Sequence, residues 1–106
     1  MTDYCTVADV KLVLVIEAAE TSEDAELAGC VTSGSAIVDS FLKKENLTVP
    51  VVVPQNVKDA AACFAAWEFR RRREPDLAEA FWVDANRFLD AYIQEAGEIA
   101  FKVCQA

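Results

Sequence analysis

Histidine is absent from this sequence. Its absence removes the commonest general base, the usual Ser-His and Cys-His activation of a nucleophile, and most catalytic zinc sites. Glycine and proline number three each, too few for a collagen-like chain, a proline-rich linker or a loop-rich β-sandwich. The longest unbroken apolar run, Ala60 to Trp67, is far too short to span a bilayer. The opening Met1-Thr2-Asp3 has no basic stretch behind it, so no signal peptide is expected and the chain reads as soluble and made inside the cell. Positive charge is scarce as well: ten Lys+Arg face 18 Asp+Glu, a formal charge of -8. A duplex-binding domain concentrates cations to release counterions from phosphate, and a net anion is ill suited to that task.

What is present points to one small folded domain. The 106 residues are 54% hydrophobic, enough to collapse around a single core and too apolar for whole-chain disorder. Cys5, Cys30, Cys63 and Cys104 lie far apart, with no CxxC pair. A closed four-thiolate zinc site uses short-spaced pairs, and a disulfide scaffold needs an oxidising compartment. The four are read as small apolar fillers, reduced and with no metal or cofactor.

The periodicity predicts an all-α, four-helix small domain over residues 1–97 and a C-terminal tail over 98–106. Thr6 followed by Asp9 is a helix N-cap with an acid in the first turn, and the first helix is expected over Val7 to Ala19. Ser22, Glu23 and Asp24 start a second, with acids against the positive end of its dipole. Its apolar positions Leu27, Cys30, Val31, Gly34, Ile37, Val38, Phe41 and Leu42 recur every three or four residues. Gly34 and Ser35 weaken the helix but permit close backbone approach. An extended apolar loop follows, stiffened by Pro50 and Pro54. Pro54 starts the third helix, thin and alanine-rich, which ends in Arg70 to Arg73. Pro75 starts the fourth, with a stripe of Leu77, Phe81, Ala85, Phe88 and Tyr92, and Gly97 is expected to stop it.

The four arginines are the most conspicuous feature. They suit phosphate, an acidic partner surface, or simply a helix C-terminus paired with Glu68, Glu74 and Asp76. Outside this run only six cations face all 18 acids, so a protein partner is favoured over nucleic acid. The acidic N-terminal segment, with Glu20, Glu23 and Asp24, is the complementary patch expected on an adjacent copy. Val51, Val52 and Val53 in the loop, and Phe101 and Val103 in the tail, are the expected apolar partner contacts. The thiols have no neighbouring base and the carboxylates no histidine beside them, so no enzyme is expected. The other reading is a small regulatory or nucleic-acid-binding helical domain that uses Arg70–Arg73.

Several stretches together resemble the head–tail connector (head-completion, adaptor) proteins of tailed phages. The opening Thr6-Val7-Ala8-Asp9-Val10-Lys11 is similar to that family's T-x-x-D-V-K/R start. Asp24-Ala25-Glu26-Leu27 and Ala36 to Leu42 follow, then Val53-Pro54, Val57 to Ala61, the Trp67-Glu68-Phe69-Arg70-Arg71-Arg72 end, and Phe81, Ala85 and Tyr92. The likeness covers residues 4 to 93. It departs at Leu12 to Ile16, where relatives have a short Leu-Gly type of ending. The resemblance implies a non-enzymatic virion component made in the bacterial host cytoplasm. Such adaptors form a ring, typically dodecameric, beneath the portal protein; they meet a downstream connector or tail protein and extend the channel through which genome DNA passes without specific binding. No membrane is involved.

Overall fold

The computed structural model describes residues 3–16, 21–47 and 52–105, with side chains as far as Ala96. Four helices follow in chain order: α1 Val7–Leu14, α2 Asp24–Lys44, α3 Gln55–Arg71 and α4 Pro75–Gln105. No strand occurs among the described residues, and none of the helices there is long and apolar enough to cross a membrane. The expected all-α, four-helix class is what the chain adopts.

α3 is the axis of the fold and packs on each of the other three helices, most extensively on α4. Its composition explains this. Ala60, Ala61, Ala62, Ala65 and Ala66 are all buried, so neighbouring backbones approach closely on several sides. At the α2–α3 crossing a Cβ added to Gly34 would lie 2.6 Å from the Ala61 carbonyl oxygen and 2.9 Å from the Ala65 nitrogen. Only glycine fits between these two backbones. Around this axis Val10, Leu27, Val38, Leu42, Val57, Phe64 and Leu89 are fully enclosed. Phe64 stacks on Phe41 at 5.9 Å and meets Trp82 edge-on at 5.1 Å.

α1 starts on the expected device. The Asp9 N–H donates to Thr6 Oγ1 and the Thr6 N–H donates to the Asp9 carboxylate, a closed capping box. It ends sooner than expected, at Leu14 rather than Ala19. Val15 turns into the left-handed region at φ 60, and the Val15 and Ile16 N–H groups close the last turn on Leu12 and Lys11 carbonyls. β-Branched Val13, Val15 and Ile16 are poor helix continuers, and turning the chain here lets Ile16 pack on the core. The N-terminal segment is pinned too. The Tyr4 N–H donates to buried Ser35 Oγ at 3.0 Å, and the Tyr4 hydroxyl donates to Asp39.

The fourth helix runs past its expected end. Gly97 does not stop it; α4 continues to Gln105, so residues 98–105 extend the helix and there is no break at 97/98. Glycine ends a helix when it adopts positive φ, and no described glycine does so. An internal glycine costs about 1 kcal/mol relative to alanine. The favourable formers Glu95, Ala96, Glu98 and Ala100 around it offset that. Pro54, expected at or near the first position of α3, is its N-cap.

Candidate functional site

The arginine run sits at the α3–α4 turn, directly beside the N-terminal turn of α2. Arg71 makes a two-pronged contact with Glu68, Nε to Oε2 at 3.0 Å and Nη2 to Oε1 at 2.8 Å. Arg72 donates to Glu68 Oε1 at 3.2 Å and to Glu26 Oε1 at 3.4 Å. Arg73 holds Glu26 by two bonds, at 2.6 and 3.2 Å, and lies 3.7 Å from Glu23. Arg70 pairs with Glu74 at 2.9 Å. Successive residues on a helix point about 100° apart. Four adjacent arginines therefore need acids on several sides, supplied here by the preceding turn of α3, the turn to α4, and α2.

The hydrogen bonds from Arg71 hold the Glu68 carboxyl below the usual glutamate range, and those from Arg73 do the same for Glu26. Glu68 is buried, so the backbone places an acid where the arginines close over it. Arg73 also caps α3, donating to the Phe69 carbonyl at 3.2 Å and lying 3.9 Å above the Phe69 ring. A second tie joins α1 to the same end of α2. Buried Lys11 lies 2.6 Å from Asp24 Oδ1, an oxygen that is itself enclosed and makes no other hydrogen bond.

These contacts revise the expected use of the charged residues. The basic run and the acids were expected to meet between adjacent copies. Instead Arg72 and Arg73 meet Glu23 and Glu26 of the same chain, and Asp24 is engaged by Lys11. Glu68 and Glu74 take the pairing expected of them; Asp76 does not, and makes no ion pair among the described residues. Glu20 and Val51 lie outside the described residues. Val52 is 84% exposed, whereas Val53 packs on the core. Phe101 and Val103 belong to α4, in the part whose side chains are not described.

The sequence reading missed a groove. Trp67 and Trp82 are only half-buried and lie 4.7 Å apart. With Arg71, Pro75, Ala78 and Glu79 they line a shallow surface groove of about 380 Å³. The Arg71 guanidinium covers one side of Trp67, 4.8 Å from the ring. The spacing Trp67–Arg71, one helical turn, is the sequence signal for this stacked pair.

No group of three or more His, Cys, Asp or Glu that could hold a metal occurs among the described residues. Cys5, Cys30 and Cys63 are buried free thiols. Burial pushes Cys5 up to about 12 and Cys63 to about 11, with nearby aspartates adding to both. Such thiols are poor nucleophiles at neutral pH. Comparison with protein-family models, with curated proteins and with solved structures gives no match.

Proposed function

We propose that this chain is a structural head–tail connector of a tailed phage or prophage. In this reading it assembles as a ring beneath the portal protein, extends the DNA channel and presents a surface to the next connector or tail protein. The observation that carries the proposal is the ending of α1. The resembled family closes its first helix on a Leu-Gly type of turn. Here the helix closes at Leu14, and Val15 takes the left-handed conformation that glycine favours. A left-handed residue directly after Leu14 is compatible with an ending of that type, although the sequence itself departs from it there. The other quoted pieces also have structural work: Thr6 and Asp9 form the capping box, and Lys11 ties α1 to Asp24.

The alternative, nucleic-acid binding through Arg70–Arg73, loses support because each of those guanidiniums is already engaged by a carboxylate. What is left outside them is strongly acidic, a property that suits a channel wall past which DNA slides. Electron microscopy of the purified protein, alone and mixed with the portal of its own phage, tests the proposal. Rings seated on the portal are expected. Failure to bind the portal in any oligomeric form contradicts it, as does a mobility shift of duplex DNA that survives moderate salt.

A further inference from the structure

The Trp67–Trp82 groove and the exposed Val52 lie at opposite ends of α3. From Pro54 to the span Trp67–Arg71 the helix rises roughly 20–25 Å, so a chain cannot place its own Val52 in its own groove. The two ends also differ in residual charge. At the groove, once the arginines are paired, exposed Asp76 and Glu79 are left without an ion pair among the described residues. At the other end Lys43 and Lys58 are exposed and pair with no acid among the described residues, and Lys44 lies 5.8 Å over the Phe41 ring; with Asp59 accepting from Gln55 and Glu45 exposed beside Lys44, the lysines still outnumber the acids there.

We propose that the groove formed by Trp67, Trp82 and Pro75 receives Val52 and Pro54 of a second copy of this chain, with the second copy's Lys43 and Lys58 facing Asp76 and Glu79. Pro54 has an extended backbone, φ -61 and ψ 150, close to the polyproline conformation that aromatic-lined grooves accept. Val53 between them packs on the core, which leaves exposed Val52 and half-buried Pro54 to meet a partner, and a proline fixed in that shape loses little entropy on docking. Because knob and groove sit on different faces, the contact is heterologous and repeats head to tail, closing into a ring or continuing as a filament. The inference rests on the connector reading for closure into a ring. It replaces the arginine run as the contact between copies.

The test is disulfide trapping in the full chain carrying Cys104→Ser. Val52→Cys and Glu79→Cys are combined in one chain and oxidised at millimolar concentration. Both sites are exposed, so the reduced variant is expected to keep its helix content and melting temperature. A ladder of linked chains is expected from the combined variant, and a two-chain product when the two single variants are mixed. Adding Asp76→Lys should lower the yield about fivefold, as expected for loss of one ion pair and its replacement by repulsion. Val52→Asp should weaken association of the otherwise unaltered chain by at least about tenfold, since it places an unpaired carboxylate against the tryptophans. Absence of linked chains, or only a product joined through position 52 on both sides, overturns the proposal. Rings on the portal without this crosslink reject the contact and leave the connector reading standing. A ladder from a chain that never binds the portal does the reverse.

Discussion

The two ends of α3 handle charge in opposite ways. At the C-terminal end four cations crowd together and every one is matched within the chain, by Glu68, Glu74, Glu26 and Glu23. At the N-terminal end a few scattered lysines and a single exposed valine have no such match among the described residues. The conspicuous cluster serves the fold, and the inconspicuous end carries no such network among the described residues. A run of like charge in a sequence says where balance is required. Whether the balancing acids come from the same chain depends on which helix ends the fold brings together, here the start of α2 and the end of α3.

The comparison breaks first at the crossing that holds α2 against α3. Gly34→Ala gains up to about 1 kcal/mol of helix propensity, but the added methyl meets backbone atoms at 2.6 and 2.9 Å, and overpacking costs about 1–3 kcal/mol. Backbone cannot rotate aside as a side chain can, so a net loss is expected. Urea denaturation should show a lower midpoint with an unchanged slope.

Next comes the acid under the arginines. Glu68→Gln keeps the shape and removes the charge, and should cost about 1 kcal/mol, since both arginine heads it holds reach solvent. The same site sets a pH dependence. Glu68 and Glu26 titrate lower in the folded chain than when unfolded. On acidification the unfolded chain therefore takes up protons first, near the ordinary glutamate value of about 4.3. Their contribution is complete above that value and is lost as pH falls through the depressed folded values. Melting temperatures between neutral pH and pH 3 should fall in that window, and less steeply for Glu68→Gln.

A smaller effect of opposite sign is expected at Val15. It is 90% exposed and left-handed, so glycine there loses no burial and relieves about 1–2 kcal/mol of backbone strain. The greater freedom of glycine in the unfolded chain returns part of this, about 0.4–1 kcal/mol. Val15→Gly should raise the melting temperature by a few degrees. Finally, the thiols of Cys5, Cys30 and Cys63 should resist an aromatic disulfide reagent at pH 8 in the folded protein and react on unfolding. Prompt reaction of any of the three would show that the helices packed over that thiol open readily.

Much of this was legible beforehand. Thr6 and Asp9 announced the start of α1, the three- and four-residue spacing from Leu27 to Leu42 described α2, and Pro75 marked the start of α4. Gly34 in mid-helix signals a close approach, and α3 backbone lies against it. The misses share a cause: local residues were given more weight than the backbone allowed. Val15 accepts a left-handed turn that propensity disfavours, because the turn lets Ile16 pack on the core, so α1 is shorter than its pattern. Gly97 carries the signal of a helix stop yet keeps helical geometry. For the charged groups, the pairs joining Arg72 and Arg73 to Glu26 span 46 and 47 residues, and no periodicity reveals a contact of that range. The tryptophan groove was hidden for another reason. Aromatic residues at helical spacing read as core, and only the packing of α4 on α3 shows that two of them stop at the surface.

The account turns on whether the arginines are matched inside one chain, and a charge exchange measures this directly. Arg73→Glu faces Glu26 and Glu23 with a like charge and should lower the melting temperature by several degrees. Adding Glu26→Arg on the same chain should restore part of that loss, at every protein concentration, the remainder being the lost Phe69 contact and the new like-charge repulsions of position 26 with Arg72 and of position 73 with Glu23. Restoration only when chains carrying the separate substitutions are mixed, with a melting temperature that rises with concentration, would place the pair between copies and contradict the account.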